Sequence, residues 1–225
     1  MIPNSRPDAL AAIVFDWDGT LMDSVGRIVR CLQLARAEIG AEPRSDDQMR
    51  DIIGLGVREA TLTLYPEVDD AFVAAFTQTY RRYYLEVDVT PTPLHADAEV
   101  VLSELSARGY LLGIATGKSR RGLDEALATT GLARFFDATA TADEHPSKPH
   151  PGMLEHVLGR LGVAPDDAIM VGDSIFDLEM ANNLAVRGIG ITHGVHDAAR
   201  LQHCRPVALI GKLSELPMLL PPGRH

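Results

Sequence analysis

The chain is short of lysine. Only Lys118, Lys148 and Lys212 occur in 225 residues, and arginine carries the rest of the positive charge. Acidic residues outnumber basic ones 31 to 21, for a formal net charge of -10. That balance argues against general affinity for nucleic acid or an anionic membrane. It leaves room for a small anionic substrate, because a local site and its metal can outweigh the global field. Cysteine is scarce too: Cys31 and Cys204 match no metal or redox spacing and read as free thiols of a reducing compartment. No apolar stretch approaches membrane-spanning length, and Met1 to Leu10 lacks a basic segment followed by an apolar run. A cytoplasmic protein without a leader is the expectation. Gly188-Ile189-Gly190 lacks the third glycine of a dinucleotide fingerprint. The pairs His145/His150 and His193/His196 have neither a helical HxxxH spacing nor a cysteine partner, so they read as loop residues, not zinc ligands. Internal repeats and low-complexity segments are missing.

What is present is ordinary for a folded globular protein: 46% hydrophobic, 23% charged and 5% aromatic residues. The length allows one large domain or a domain with a sizeable insertion. Ala11 to Trp17 is an apolar run ending in the turn signal Asp18-Gly19-Thr20 and reads as a buried strand. From Ser24, a plausible N-cap, to Val87 the periodicity is helical throughout, in four segments broken at Gly40, Gly54-Leu55-Gly56 and Pro66. Pro91 and Pro93 mark a junction. Beyond them strands at 110–116, 135–140, 168–172, 186–191 and 207–210 alternate with helices. The last residues, 219–225, read as a frayed tail. Alternation of this kind predicts an α/β fold: a Rossmann-like parallel sheet with helices on both faces. The all-helical block is then an insertion after the first strand. The expected division is a catalytic core of residues 1–22 and 90–225, with a helical cap at 23–89.

In open parallel sheets ligands gather at the C-terminal strand ends. Four such ends carry chemistry here. Asp16 and Asp18, at i and i+2 before Gly19, can be aimed the same way by a bending chain. Two carboxylates held close repel and call for a cation, and all-oxygen ligands suit Mg²⁺. Asp173 ends a strand and Asp177 lies four residues on. They can face the same site, or Asp173 or Ser174 can cap a helix whose dipole Asp177 answers. Thr116 offers a hydroxyl and Gly117 an unobstructed N–H just before a helix start, an anion-binding arrangement. Lys118 follows them. Lys148 sits in a proline-flanked loop. Two of the three lysines thus fall at strand ends facing the acidic groups. Arg58, after the Gly54-Leu55-Gly56 loop, is either a partner for a second substrate anion or a solvated helix arginine.

Together FDWDGTLMDS at 15–24, ATGKS at 115–119, SKPHPGM at 147–153 and VGDSIFDLEMA at 171–181 resemble the haloacid dehalogenase (HAD) superfamily, in its phosphoglycolate-phosphatase-like branch. Order and spacing agree over nearly the whole chain. The resemblance implies Asp16 as nucleophile toward phosphorus and Asp18 as acid and then base. It implies Thr116, the Gly117 N–H and Lys148 as the phosphoryl grip, and Mg²⁺ held by Asp16, the Asp18 carbonyl and Asp173, with Asp177 in support. Trp17 is bulky for its position, where the family uses the backbone N–H of an apolar residue. The helical insertion corresponds to a cap that excludes water.

Within the superfamily, Asp18 points away from dehalogenases, which lack the second acid. The absence of lysine before Lys118 points away from phosphonate hydrolases. The absence of histidine after the first motif points away from hexose-phosphate mutases. The expectation is a phosphatase of a small phosphorylated metabolite, phosphoglycolate first, acting as a monomer or homodimer. A sugar phosphate or nucleotide, a phosphotransferase, a phospho-aspartate switch and a catalytically silent relative are the alternatives.

Overall fold

A computed structural model describes residues 10–221. The readings made on 1–9 and 222–225 lie outside the described residues. Six strands form one parallel sheet in the order β3-β2-β1-β4-β5-β6. They are β1 (Ala12–Phe15), β2 (Leu111–Thr116), β3 (Ala138–Thr141), β4 (Ala168–Gly172), β5 (Arg187–Ile191) and β6 (Ala208–Ile210). β1 lies in the middle, with Ala12 in register with Leu111 on one side and Ala168 on the other.

Both faces of β1 are buried, as near-continuous apolar runs in parallel sheets require. Ile13 and Phe15 face a cluster built with α5 (Ala98–Ala107), α6 (Arg120–Thr130) and α10 (Leu216–Leu219). Ala12 and Val14 face a second cluster, with α7 (Gly152–Leu161) and α8 (Ile175–Asn183). The short α9 (Ala198–His203) sits beside β5 and β6.

Between β1 and α5 come α1 (Val25–Glu38), α2 (Asp46–Asp51), α3 (Val57–Leu64) and α4 (Asp70–Arg82). They surround their own apolar cluster, centred on Ile28, Leu32, Met49, Leu64 and Phe76. α4 runs on into a π-helical turn at Tyr83–Val87, a form that often marks functional positions. The chain leaves and returns side by side: the Asp23 N–H donates to the Pro93 carbonyl at 2.9 Å, and Met22 bridges Leu94.

Two expectations need correction. The strand read at 135–140 begins only at Ala138, because Leu132–Phe135 close a 3₁₀ turn whose aromatic end packs on the core. The described part of the supposed tail is not frayed. Leu219 belongs to α10, Leu220 is buried, and the Tyr110 hydroxyl donates to the Pro221 carbonyl at 2.5 Å.

Candidate active site

β1 delivers Asp16 to the C-terminal edge of the sheet, where its N–H donates to the Val171 carbonyl at 2.9 Å. The next turn is tight. Gly19 adopts φ +82°, and a Cβ there would lie 2.3 Å from an Asp173 carboxylate oxygen, so both conformation and space require glycine. Close approach of β1 and β4 gathers Asp16, Asp173 and Asp177, which can each offer an oxygen within 4.8 Å of the others. All three are buried.

Each carboxylate of the cluster has a distinct set of partners. Asp173 accepts from the Thr20 hydroxyl at 2.7 Å and the Val195 N–H at 2.7 Å. Asp177 accepts from the Ser174 N–H and hydroxyl on one oxygen and from Lys148 at 2.6 Å on the other. The two readings of this segment both hold: Ser174 and Asp177 form a capping box on α8, and Asp177 also stands in the acidic cluster. Lys148 Nζ lies 2.8 Å from Asp16 Oδ1, but this buried oxygen makes no hydrogen bond.

Burial pushes the Asp16 carboxyl up to about 7; Lys148 pulls it down and Asp177 pushes it further up. Burial, then repulsion from Asp16 and Asp177, holds Asp173 well above the carboxylate range. One ammonium does not balance three buried carboxylates, and an oxygen without a hydrogen bond is left over. A hard divalent cation with oxygen ligands fits this set. For Lys148 itself burial opposes the charge, but Asp16 and Asp177 outweigh it, so the ammonium is held above its ordinary range.

Asp18 is outside that cluster. Its carboxylate accepts from the Ser24 hydroxyl at 2.5 Å and pairs with Lys118 Nζ at 3.0 Å. Lys118 in turn donates to the Tyr84 hydroxyl at 2.9 Å and stands 4.5 Å from that ring's centroid. Burial opposes the Lys118 charge; Asp18 and Tyr84 outweigh it and raise its affinity for a proton. Thr116 ends β2, and its hydroxyl oxygen accepts from the Lys118 backbone N–H at 3.3 Å, so its proton remains to donate.

A cavity of about 60 Å³ opens between these residues and the helical insert, lined by Asp16, Asp18, Thr116, Gly117 and Lys118 from the sheet side. The insert is in contact with the core around it. The Gly56 N–H donates to Ser147 Oγ at 2.7 Å, Arg81 pairs with Asp143 at 2.5 Å, and Asp51 pairs with Arg200.

The model of the family described as "Haloacid dehalogenase-like hydrolase" matches residues 13–191. The chain belongs to the haloacid dehalogenase-like hydrolases. Among its relatives, "Probable phosphatase IndB" of Dickeya dadantii (strain 3937) is 32% identical over 209 residues, spanning 91% of this chain and 90% of that protein. The phosphoglycolate phosphatase of Vibrio cholerae is 27% identical, over 88% and 91% of the two chains. A solved haloacid dehalogenase-like family hydrolase of Streptococcus pneumoniae superposes with a TM-score of 0.81 at 26% identity, covering 94% of this chain and 98% of that one. The chain is thus an enzyme of a hydrolase family, and the first two of these relatives are named as phosphatases.

Six of the residues singled out in the sequence meet at the cavity and the acidic cluster beside it: Asp16, Asp18, Thr116, Lys148, Asp173 and Asp177. Gly117 and Lys118 join them on the sheet side. The Trp17 side chain is fully buried against Phe136 and Met22, which leaves its backbone N–H as the group expected to serve the substrate. One residue differs from expectation. Arg58 lies outside: it pairs with Asp70 at 2.7 Å and lines an outer groove instead.

Sequence reasoning missed Ser24, Tyr80, Arg81 and Tyr84. Ser24 had been read as the cap of α1, but its side chain makes no cap bond and goes to Asp18. The others sit on α4 and its π turn and have no local signature.

Proposed function

We propose that this HAD hydrolase is a Mg²⁺-dependent phosphatase of small phosphate monoesters that works through an aspartyl phosphate on Asp16. One observation carries the reading. The two aspartates of a single strand-end turn have opposite surroundings: Asp16 lies with Lys148 and the acidic cluster, while Asp18 faces the cavity with Ser24 and Lys118. Two carboxyl groups in unlike environments suit two roles, nucleophile and proton carrier.

In this mechanism an Asp16 oxygen attacks phosphorus and the ester bond breaks. The departing oxygen takes the Asp18 proton. Water then attacks the acyl phosphate, Asp18 accepts its proton, and inorganic phosphate leaves with Asp16 restored. The Thr116 hydroxyl, the Gly117 N–H and Lys148 hold the phosphoryl oxygens. Asp16, Asp173 and the Asp18 carbonyl, backed by Asp177, would hold Mg²⁺, which neutralises phosphoryl charge and aligns the in-line displacement. The insert, 23–89, acts as the cap that excludes bulk water.

The phosphoglycolate hypothesis draws on the Vibrio cholerae relative's name and on overall resemblance. It loses the support of Arg58, which is engaged by Asp70 away from the cavity.

The test is phosphate release from a panel of small esters with Mg²⁺ and with EDTA, using wild type and Asp16→Asn. Release that needs both Mg²⁺ and Asp16 is expected. A folded protein that binds Mg²⁺ yet hydrolyses no ester would refute the reading and favour a switch or phosphotransferase.

A further inference from the structure

Two parts of the insert and one residue of the core close on Asp18. Ser24, just before α1, donates its hydroxyl to Oδ1 at 2.5 Å. Lys118, after β2, places Nζ 3.0 Å from the same oxygen. Both side chains of this ion pair are nearly buried, 6% exposed for Lys118 and 10% for Asp18. Tyr84, from the π turn of the insert, accepts from Lys118 at 2.9 Å, and its ring centroid lies 4.5 Å from the ammonium. Tyr84 is fixed in turn by Arg27, which donates to its backbone carbonyl at 2.7 Å and stands 4.7 Å over its ring. The contacts on Asp18 thus gather on one oxygen. Oδ2 accepts no hydrogen bond among the described residues, yet it is not one of the buried atoms left without a partner. It therefore keeps open surface, on a side chain that lines the cavity.

Resting on the phosphatase reading, we infer that Lys118 and Tyr84 are positioning residues for the proton carrier: they pin Asp18 Oδ1, so that Oδ2 faces the cavity and carries the proton. An unheld carboxyl group turns easily about its last bond and offers either oxygen at many angles. Held by one oxygen, it offers only the other. In the first half-reaction the Oδ2–H bond breaks as phosphorus parts from the alcohol oxygen, which keeps the electron pair of that bond and takes the proton. Oδ1 needs no rearrangement, because a carbonyl oxygen and a carboxylate oxygen both accept from the Ser24 hydroxyl and both attract the ammonium. The negative charge left on Asp18 meets a cation already in place. In the second half the water oxygen bonds phosphorus, the bond from phosphorus to Asp16 breaks, and one water proton goes to Oδ2. Ser24 and Tyr84 both belong to the insert, so docking of the insert completes the acid–base group.

The experiment compares two small substrates of similar size and opposite proton demand, at saturating Mg²⁺. Propyl phosphate expels an alkoxide, which needs the proton; acetyl phosphate expels a carboxylate, which does not. Lys118→Met should lower kcat/KM for propyl phosphate by about tenfold or more and that for acetyl phosphate by no more than about threefold. Tyr84→Phe keeps the ring and loses only the hydroxyl; it should cost about threefold on propyl phosphate and less on acetyl phosphate. In both variants the first turnover of acetyl phosphate, followed as acetate by quenched flow, should keep its rate while steady phosphate release slows, because hydrolysis of the aspartyl phosphate still needs Asp18 as base. The ratio between substrates is read within one protein, so a lowered Tm does not blur it. Equal losses on the two substrates, or a rise in KM that accounts for the whole loss, overturn the inference while the phosphatase reading stands. A Tyr84→Phe variant with wild-type rates on both overturns the part given to the insert. Wild type that hydrolyses neither substrate, though its Tm rises with Mg²⁺, overturns the inference and the phosphatase reading together.

Discussion

Adding one carbon atom at Gly117 should separate turnover from stability. Gly117 follows β2, and the insert's Gly54-Leu55 loop lies directly on it. A Cβ there would meet the Leu55 carbonyl oxygen at 2.6 Å and the Gly54 carbonyl oxygen at 2.7 Å. Ordinary contact begins at 3.4 Å, so the loop must retreat by 3.4 − 2.6 = 0.8 Å. No side-chain rotation relieves the clash, since both atoms are backbone. The retreat takes Leu55, part of the cavity wall, with it. A misplacement near 1 Å can cost about 10²-fold in rate. Gly117→Ala is therefore expected to lower kcat/KM by about 30- to 100-fold. The sheet and its two apolar layers are untouched, so Tm should stay near the wild-type value. The assay is Mg²⁺-dependent phosphate release on the best ester, paired with thermal unfolding. A variant with kcat/KM within about twofold of wild type would refute the claim that contact of this loop with Gly117 matters to turnover. A large fall in Tm would refute the claim that the clash is confined to the insert.

Lys148→Met should be far harder on the fold. The ammonium is fully buried between Asp16 and Asp177, and removing one partner of such a network costs about 3–5 kcal/mol. Urea unfolding without Mg²⁺ should show it, with part of the loss recovered on adding Mg²⁺; a loss below about 1 kcal/mol counts against the charge balance described. Acid should weaken the protein through His95 and His193, whose rings stack at 3.8 Å. Burial holds both below their usual 6.5, with repulsion from His193 adding to the effect on His95. The unfolded chain therefore binds protons first, so stability is full above about 6.5 and is lost as pH falls through the lowered folded values. Replacing both by Gln should flatten the Tm profile between about pH 7 and 5; an unchanged slope would exclude the pair as its source. Gly159→Ala, inside α7 with no heavy atom within 4 Å of the new Cβ, should raise stability by about 0.5–1 kcal/mol and leave kcat/KM alone. Denaturant midpoints and steady-state rates decide that case.

The candidate face was legible because strand ends announce themselves. An apolar run that stops at Asp-x-Asp-Gly, at Thr-Gly or at Gly-Asp-Ser states both where the backbone goes and what it carries, and a parallel sheet sends all such ends to one edge. The residues that escaped are those whose meaning depends on which way a helix faces. α3 buries Ala60, Thr61 and Leu64, so Arg58, near its start, turns outward to Asp70. On α4 and its π turn, Tyr80 and Tyr84 reach the cavity wall and Arg81 borders both the cavity and the outer groove, yet nothing in the local sequence at 80–84 separates them from their neighbours. Docking of the insert on the core decides this, through contacts such as Gly56 with Ser147 that are 91 positions apart. Ser24 was misread for a related reason. An N-cap serine and a serine that holds a carboxylate look alike until the turn at Gly19 brings Asp18 within 2.5 Å of the hydroxyl. The late start of β3 came from Phe135, whose apolar character suits a strand and a packed 3₁₀ turn equally well.

The insert leaves and rejoins the sheet where two stretches of chain lie side by side: the Asp23 N–H donates to the Pro93 carbonyl, the His95 N–H to the Leu21 carbonyl, and Met22 bridges Leu94. Viewed from the core, the whole insert hangs from a gap that backbone contacts already span. Excising it would open almost no loop, and any other unit with ends equally close could hang from the same gap. The chain is thus a socket with an exchangeable plug: on the proposed function, the bond-breaking groups belong to the socket and much of the choice of alcohol falls to the plug. Grafting a different insert at Asp23 and Pro93 should redirect substrate choice while leaving the aspartates as they are, which makes this join the natural place to re-engineer the enzyme.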